Sequence, residues 1–360
     1  AEDGIRDLVR SRGLGDVYKR QNPNRDFQLM SRVLEFKGNR HEFEKPMRII
    51  SEYDVPEDAW FFQQNSHPQW MPYSVLMEIA LQPCGFISAN SGAMLIYPEL
   101  DLHYRNLDGN GTLSKHIDLR GKTIQAEVEL YSTVASGNTV IQKHRFLLKC
   151  EGLPFYKGDT VFGYFTDEAL ENQTGLDGGK AKLPWLDENT NDDMKIYRLN
   201  DSNSGLESGK PHLKLAGNQL NLLDEVHLSP SVGSHGKGYA YGKRIVDPKD
   251  WFFPCHFHQD PVMPGSLGVE AILQALQVFC LDQKLGDSFS NPRFRPSLSE
   301  TRWKYRGQII PTTGMMQLEL HVSKIEKQDD QLMLVADASL WRDELRIYEV
   351  QDISLVIEEA

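Results

Sequence analysis

Two stretches of this chain are versions of one another: Trp60–Gln82, WFFQQNSHPQWMPYSVLMEIALQ, and Trp251–Gln274, WFFPCHFHQDPVMPGSLGVEAILQ. Met71 and Met263, Pro72 and Pro264, Glu78 and Glu270, and Gln82 and Gln274 are each 192 positions apart. Trp60 and Trp251 are 191 apart, so the first copy is one residue shorter in its turn. A repeat of that period is too long for a solenoid and fits a duplicated domain. At 360 residues the chain has room for both copies. The copies are not equivalent. Where the second has His256, the first offers Gln64 or Asn65, with His67 displaced toward the proline, and Tyr73 replaces the turn glycine.

The second stretch carries the chemistry. Phe252 and Phe253 read as the end of a buried strand, with His256 at the point where the chain leaves the sheet. Pro261, Pro264 and Gly265 interrupt regular structure, and Ser266 can cap a helix that Leu267 begins. The first amides of a helix have no partner within it, so the turn at Gly265 and Ser266 is a candidate oxyanion site. Apolar residues from Leu267 to Phe279 cover most of the helix circumference, which predicts burial nearly all round. Glu270, Gln274 and Gln277 then form a narrow polar stripe at i, i+4 and i+7. A carboxylate there should have a raised pKa, as a general acid requires. A lone His at a strand end is more often structural than catalytic. Imidazole, glycine turn, helix start and buried carboxylate within 24 residues shift that balance. Asp260 is expected to brace the turn by accepting backbone donors, and His258 to lie at the surface or to support the site from behind.

Segments after each helix alternate apolar and polar residues between turn signals. They include KTIQAEVELYSTV, TVIQKHRFLLKC and DTVFGYFT in the first copy, and MMQLELHVSKIE, QLMLVADASLW and LRIYEVQDISLVIEE in the second. This predicts antiparallel sheets with one packed face. DGNGT, Asp108–Thr112, reads as a hairpin turn rather than a calcium loop. The expected organisation is a poorly ordered lead-in over 1–27, a first domain over 28–166, a connector rich in Asn, Asp, Gly and Ser over 167–217, and a second domain over 218–360. Ser11–Gln21, SRGLGDVYKRQ, resembles translated adaptor sequence that contaminates some environmental assemblies. On that resemblance the run is expected to be non-native and to contribute nothing to the fold, with a helix there as the alternative.

The net charge of −12 and the lack of a Lys/Arg run argue against nucleic-acid binding. Four scattered cysteines, with no CxxC pair or clustered histidines, predict no metal site and a reducing, cytoplasmic home. No stretch reads as a membrane span or a signal-peptide core.

LNLLDEV, WFFPCHF, DPVMPGSLG, KYRGQIIP and IYEVQDISLVI carry a resemblance: from Leu220 onward the chain is similar to the bacterial 3-hydroxydecanoyl-ACP dehydratase, a FabA-like hotdog enzyme. With the degenerate copy in front, the whole resembles a dehydratase didomain of a polyunsaturated fatty acid synthase. The resemblance implies an α+β double hotdog, two antiparallel sheets each wrapped around a central helix. It also implies that each site takes its histidine from one hotdog and its carboxylate from the other's helix. On that basis His256 is the catalytic histidine, Gly265 the turn amide with Ser266 beside it, Glu78 the acid partner and Gln82 the residue orienting that carboxylate. The family's helix carboxylate is usually Asp, and both helices here carry Glu. Glu270 and Gln274 with the out-of-register His67 would form a second, inactive or weaker site.

The implied reaction is dehydration of a 3-hydroxyacyl thioester to the trans-2-enoyl thioester, with double-bond isomerisation also allowed. The substrate would ride on the phosphopantetheine of an acyl carrier protein, with no other cofactor or metal, alongside other synthase domains. Two alternatives are a hotdog acyl thioesterase and a non-catalytic acyl-binding or scaffold module.

Overall fold

The computed structural model describes residues 22–189, 194–200, 206, 209–328 and 330–360; the suspected non-native run 11–21 lies outside them. The chain divides into two compact units that do not follow its linear halves. Of the described residues, the first holds those up to Glu57, Val75–Gln173 and Lys249–Pro264; the second holds those of Asp58–Ser74, Thr174–Pro248 and Gly265–Ala360. Each copy's WFF-to-proline segment therefore counts with the other copy's sheet.

The first unit is an antiparallel sheet of β1 (Arg32–Lys37), β2 (Met47–Asp54), β3 (His103–Leu113), β4 (Thr123–Ser136), β5 (Thr139–Cys150) and β6 (Leu153–Phe165), in spatial order β1-β2-β4-β5-β6-β3. The period-2 alternation expected of a half-packed strand is present: β5 buries Val140, Gln142, His144, Phe146, Leu148 and Cys150 on one face. Two-residue loops close β4 to β5 at Gly137–Asn138 and β5 to β6 at Glu151–Gly152. All four residues have positive φ, between 52° and 77°, which matches the right-handed twist of the flanking strands. DGNGT is not a hairpin turn. It lies inside β3, where Gly109 pairs with Thr160 and the register shifts between Asn106 and Asp108; pairing along β6 overrides the local turn chemistry of Asp, Asn and Gly.

Helix α1 (Tyr73–Ser91) contributes Val75 onward to this unit and is buried along its length. It is long and apolar enough to cross a bilayer, contrary to the sequence expectation, but 78% of that apolar window is buried within the protein, as a core helix requires. Ser88 Oγ ties it to the sheet through Tyr104 Oη (2.9 Å) and His144 Nε2 (3.0 Å). Of the lead-in, residues 22–27 pack against the unit: Phe27 is fully buried and stacks edge-on against Trp251 at 5.4 Å.

The second unit repeats the topology. Its strands are β7 (Lys195–Arg198), β8 (Glu225–Ser229), β9 (Tyr239–Ile245), β10 (Pro292–Pro296), β11 (Glu300–Tyr305), β12 (Met315–Gln328), β13 (Gln331–Arg342) and β14 (Leu345–Glu359). The order β8-β9-β12-β13-β14-β11 mirrors that of the first unit, with β7 added beside β8 and β10 beside β14. Helix α2 (Gly265–Asp282) packs on β8, β9, β12, β13 and β14, and every residue from Ser266 to Leu281 is buried. Each unit thus has the hotdog arrangement: an antiparallel sheet around one long buried helix.

The connector is more than solvated surface. Asp177 makes a bidentate pair with Arg346 (2.7 and 2.8 Å), Trp341 Nε1 donates to the carbonyl of Lys182 (2.7 Å), and Trp185 N donates to the buried Glu319 (2.7 Å). Residues 177–185 form a strap over β12–β14, and the bidentate geometry makes the Arg346 contact directional.

Candidate functional site

Phe252 and Phe253 do not end a strand. Trp251–Pro264 contains turns and irregular backbone until α2 begins at Gly265, and the His256 N–H donates to the carbonyl of Phe252 (2.9 Å). With three prolines in Pro254–Pro264, the segment lacks the donors a ladder needs. Both phenylalanines are buried, and the carbonyl of Cys255 accepts from Asn24 N (2.9 Å).

His256 is 8% exposed and held twice by one residue: its Nδ1 lies 2.8 Å from the carbonyl oxygen of Val262, and Val262 N donates back to the His256 carbonyl at 2.8 Å. A carbonyl oxygen can only accept, so Nδ1 carries the proton and Nε2 is the bare nitrogen. Burial pushes the imidazole down to about 3, with the Arg105 charge acting in the same direction. His256 is therefore neutral at physiological pH with its lone pair on Nε2, the form a general base requires. The His256–Phe257 peptide is cis.

Glu78 lies on α1 in the same unit and is 5% exposed. Gln82, one turn on, donates from Nε2 to Glu78 Oε2 (3.3 Å) and to the carbonyl of Phe27 (3.0 Å), while its Oε1 accepts from Leu29 N (2.8 Å). The glutamine thus contacts the carboxylate and also anchors the chain leading into β1. Gln274 performs only the second task. It accepts from Leu222 N (2.9 Å) and donates to Asn221 Oδ1 (3.2 Å), rather than satisfying Glu270.

In the second unit Glu270 is buried, which raises its pKa, and its Oε2 accepts from Ser74 N (2.9 Å). It shares a cavity with Asn65, Ser66, Trp70, Met71, Leu273 and Gln277; among the described residues lining it there is no histidine. Asn65 takes the place of the imidazole. Its Nδ2 donates to the carbonyl of Trp70 (2.7 Å), the counterpart of Val262 by the 192-residue offset, and its Oδ1 accepts from Ser66 N (2.8 Å). An amide makes the holding contact but has no basic nitrogen. His67 is elsewhere: its Nδ1 accepts from Gln69 N (3.2 Å) and its ring stands 6.1 Å from that of His212.

Gly265 is the first residue of α2, two residues ahead of the expected start, so Ser266 sits within the first turn rather than capping it and is 1% exposed. A Cβ on Gly265 would lie 2.6 Å from the ring of Tyr305, so only glycine fits this helix start. His258 is exposed, the first of the two places expected for it.

The Asp260 carboxylate does not serve backbone donors. It takes a bidentate pair from Arg105 (2.6 and 2.7 Å) and the Nδ1 of His103 (3.0 Å), whose Nε2 faces Asp167 (2.8 Å). Burial pushes this carboxyl up, but the hydrogen bonds from His103 and Arg105 outweigh it and hold it far below the usual range. Asp260's hydrogen bond raises the pKa of His103. Sequence reasoning missed Arg105 and His103; the available signal was their i, i+2 spacing in LDLHYRNL, which places both on one face of a strand. Among the described residues no group of three or more His, Cys, Asp or Glu stands ready to hold a metal.

Residues 215–351 match the family described as the FabA-like domain. The chain is 37% identical over 320 residues to one of the polyunsaturated fatty acid synthase proteins of Thraustochytrium sp. (strain ATCC 26185 / S-3), a match covering 86% of this chain and 21% of that protein; the chain thus spans about a fifth of this relative. Among solved structures, the dehydratase domain from the CurJ module of curacin polyketide synthase aligns with a TM-score of 0.48 at 11% identity, covering 92% of this chain and 96% of that one. The bifunctional dehydratase-cyclase domain in ambruticin biosynthesis aligns with a TM-score of 0.46 at 11% identity, covering 94% and 98%.

Proposed function

We propose, on the match of residues 215–351 to the FabA-like domain family, that this protein dehydrates 3-hydroxyacyl thioesters to trans-2-enoyl thioesters through His256 and Glu78. The observation that carries the reading is His256 itself, a buried neutral imidazole whose Nδ1 is committed to the Val262 carbonyl, in the same compact unit as Glu78 and Gln82. Nε2 removes a proton from C2, and the electron pair forms the C2–C3 double bond as the C3–O bond breaks. Glu78, in its acid form, protonates the departing hydroxide to water. A proton returned from His256 to Glu78 resets the pair. The same base allows isomerisation by returning its proton at a different carbon of the allylic system. Assignment of the thioester carbonyl to the Gly265 amide rests on the family resemblance.

The elimination is redox-neutral, and the reading assigns no metal or soluble cofactor. It includes an acyl carrier protein presenting the substrate on phosphopantetheine, further synthase domains as partners and a cytoplasmic place of action. The synthase protein matched over most of this chain supports the partners, and the four buried free thiols, Cys84, Cys150, Cys255 and Cys280, support the location. Glu270, which shares its cavity with the Asn65 amide rather than an imidazole, belongs to a second, inactive or weaker site.

The test is turnover of a 3-hydroxyacyl N-acetylcysteamine thioester, followed by mass spectrometry, in wild type, His256→Ala, Glu78→Gln and Glu270→Gln. Loss in the first two variants and near-normal turnover in the third is expected. Activity surviving Glu78→Gln but not Glu270→Gln overturns the pairing, release of free acid indicates hydrolysis, and an inert wild type indicates an acyl-binding module.

A further inference from the structure

We propose that Arg105 is a positioning residue for His256, acting through Asp260 as a latch that fixes the turn carrying the imidazole. The turn is a short closed circuit. Phe257 N donates to the Asp260 carbonyl (3.0 Å), Asp260 N returns to Phe257 O (3.3 Å), and Val262 and His256 hold each other as described above. All of these bonds are internal to residues 256–262, so they shape the turn without fixing its place on the sheet. Asp260 supplies the anchor. Its carboxylate grips Arg105, on β3, with two short bonds, and the two side chains are only 10% and 11% exposed. A bidentate guanidinium–carboxylate pair sets distance and orientation together, which a single contact cannot. Arg105 is itself braced by donating to the carbonyl of Tyr104 (3.0 Å), and His103 holds Asp260 from the side.

The duplication provides an internal comparison. Arg306 follows Tyr305 at the end of the counterpart strand β11 and donates to the Tyr305 carbonyl (2.7 Å), as Arg105 does to that of Tyr104. The counterpart of Asp260 by the 192-residue offset is Pro68, which has no carboxylate. The arginine is therefore present in both copies, but a carboxylate at that turn position is present only in the copy whose turn carries an imidazole. An acid needed merely to close the turn would have been required in both. The latch accompanies the base.

The inference rests on His256 being the base, and two readouts separate the claims. In the full chain, Arg105→Gln, Arg105→Lys, Asp260→Asn and the Arg105→Gln/Asp260→Asn double variant are assayed for kcat and KM on 3-hydroxydecanoyl N-acetylcysteamine thioester. Arg306→Gln is the control. Misplacing a reacting group by about 1 Å costs about a hundredfold, so each single variant is expected to lose about ten- to a hundredfold in kcat with KM within about threefold. The double variant should be no worse than either single one, Arg105→Lys should recover only part of the loss, and Arg306→Gln should stay within about twofold of wild type. In parallel, ¹⁵N-histidine NMR should show His256 as the Nδ1–H tautomer in wild type and as a tautomer mixture in Arg105→Gln and Asp260→Asn. A folded Arg105→Gln protein with wild-type kcat and an unchanged His256 tautomer overturns the latch, as does a double variant whose losses multiply. If wild type turns nothing over, the dehydratase reading fails, and the NMR comparison alone decides the latch. Should Arg105→Gln not fold, Asp260→Asn carries both readouts.

Discussion

Replacing His256 with Asn separates what the imidazole does for chemistry from what it does for folding. In the first copy Asn65 already holds the Trp70 carbonyl through its amide at 2.7 Å, as His256 holds that of Val262 at 2.8 Å, so the variant can keep the loop-closing donor while losing the base. Turnover should fall by about 10²-fold or more, the usual worth of a positioned base. The stability effect has a definite sign. The folded imidazole titrates at about 3, against an ordinary value of 6.5 in the unfolded chain. As the pH falls the unfolded chain binds the proton first, so stability is undiminished above about 6.5 and declines between there and about 3. At pH 5 the loss is about 2 kcal/mol, from 1.36 kcal/mol per pH unit acting over about 1.5 units. His144, fully buried and also pushed down to about 3, adds a similar loss in both proteins. Glu270 and His103, whose pKa values are raised, act in the opposite direction and cancel in the comparison. Urea denaturation followed by tryptophan fluorescence at pH 8 and pH 5 should therefore show His256→Asn losing about 2 kcal/mol less than wild type. Equal losses would refute the burial of a neutral imidazole, and retained turnover would refute its role as base.

Gln82→Leu leaves the buried Leu29 N–H without its acceptor and Glu78 without its amide donor; urea denaturation should show a loss of about 1–3 kcal/mol, and kcat should fall with it. Gly268→Ala should lower the melting temperature even though alanine favours helices by about 1 kcal/mol, because the new Cβ would lie 2.4 Å from the buried ring of Tyr348 and overpacking costs about 1–3 kcal/mol. A rise in melting temperature would show that the ring yields.

What could be read in the chain was what depends on neighbours in sequence. The apolar wrap of α2 predicted its burial, and the alternation in TVIQKHRFLLKC predicted β5, because a helix or strand must present its apolar residues at its own period. The reading failed where a distant partner decides. WFF has a strand's composition, but Phe252 and Phe253 lie in turns and Trp60–Gln64 forms a short helix, since the prolines that follow leave no ladder to join. DGNGT has a turn's composition, yet pairing with β6 holds it extended. The polar connector reads as a loose linker because its anchors, Glu319, Trp341 and Arg346, lie more than 130 positions away.

The duplication, the helix carboxylates and the unequal standing of the copies can all be read from the chain alone, since an imidazole at 256 and an amide at 65 are facts of composition and spacing. It takes the folded chain to show that Lys249–Pro264 counts with the first sheet, that His256 carries its proton on Nδ1, and that Asp260 answers to Arg105 rather than to its own turn. Tautomer and partner are set by which group comes to stand about 3 Å away. When that group lies 155 residues off, as Arg105 does from Asp260, no local pattern records it.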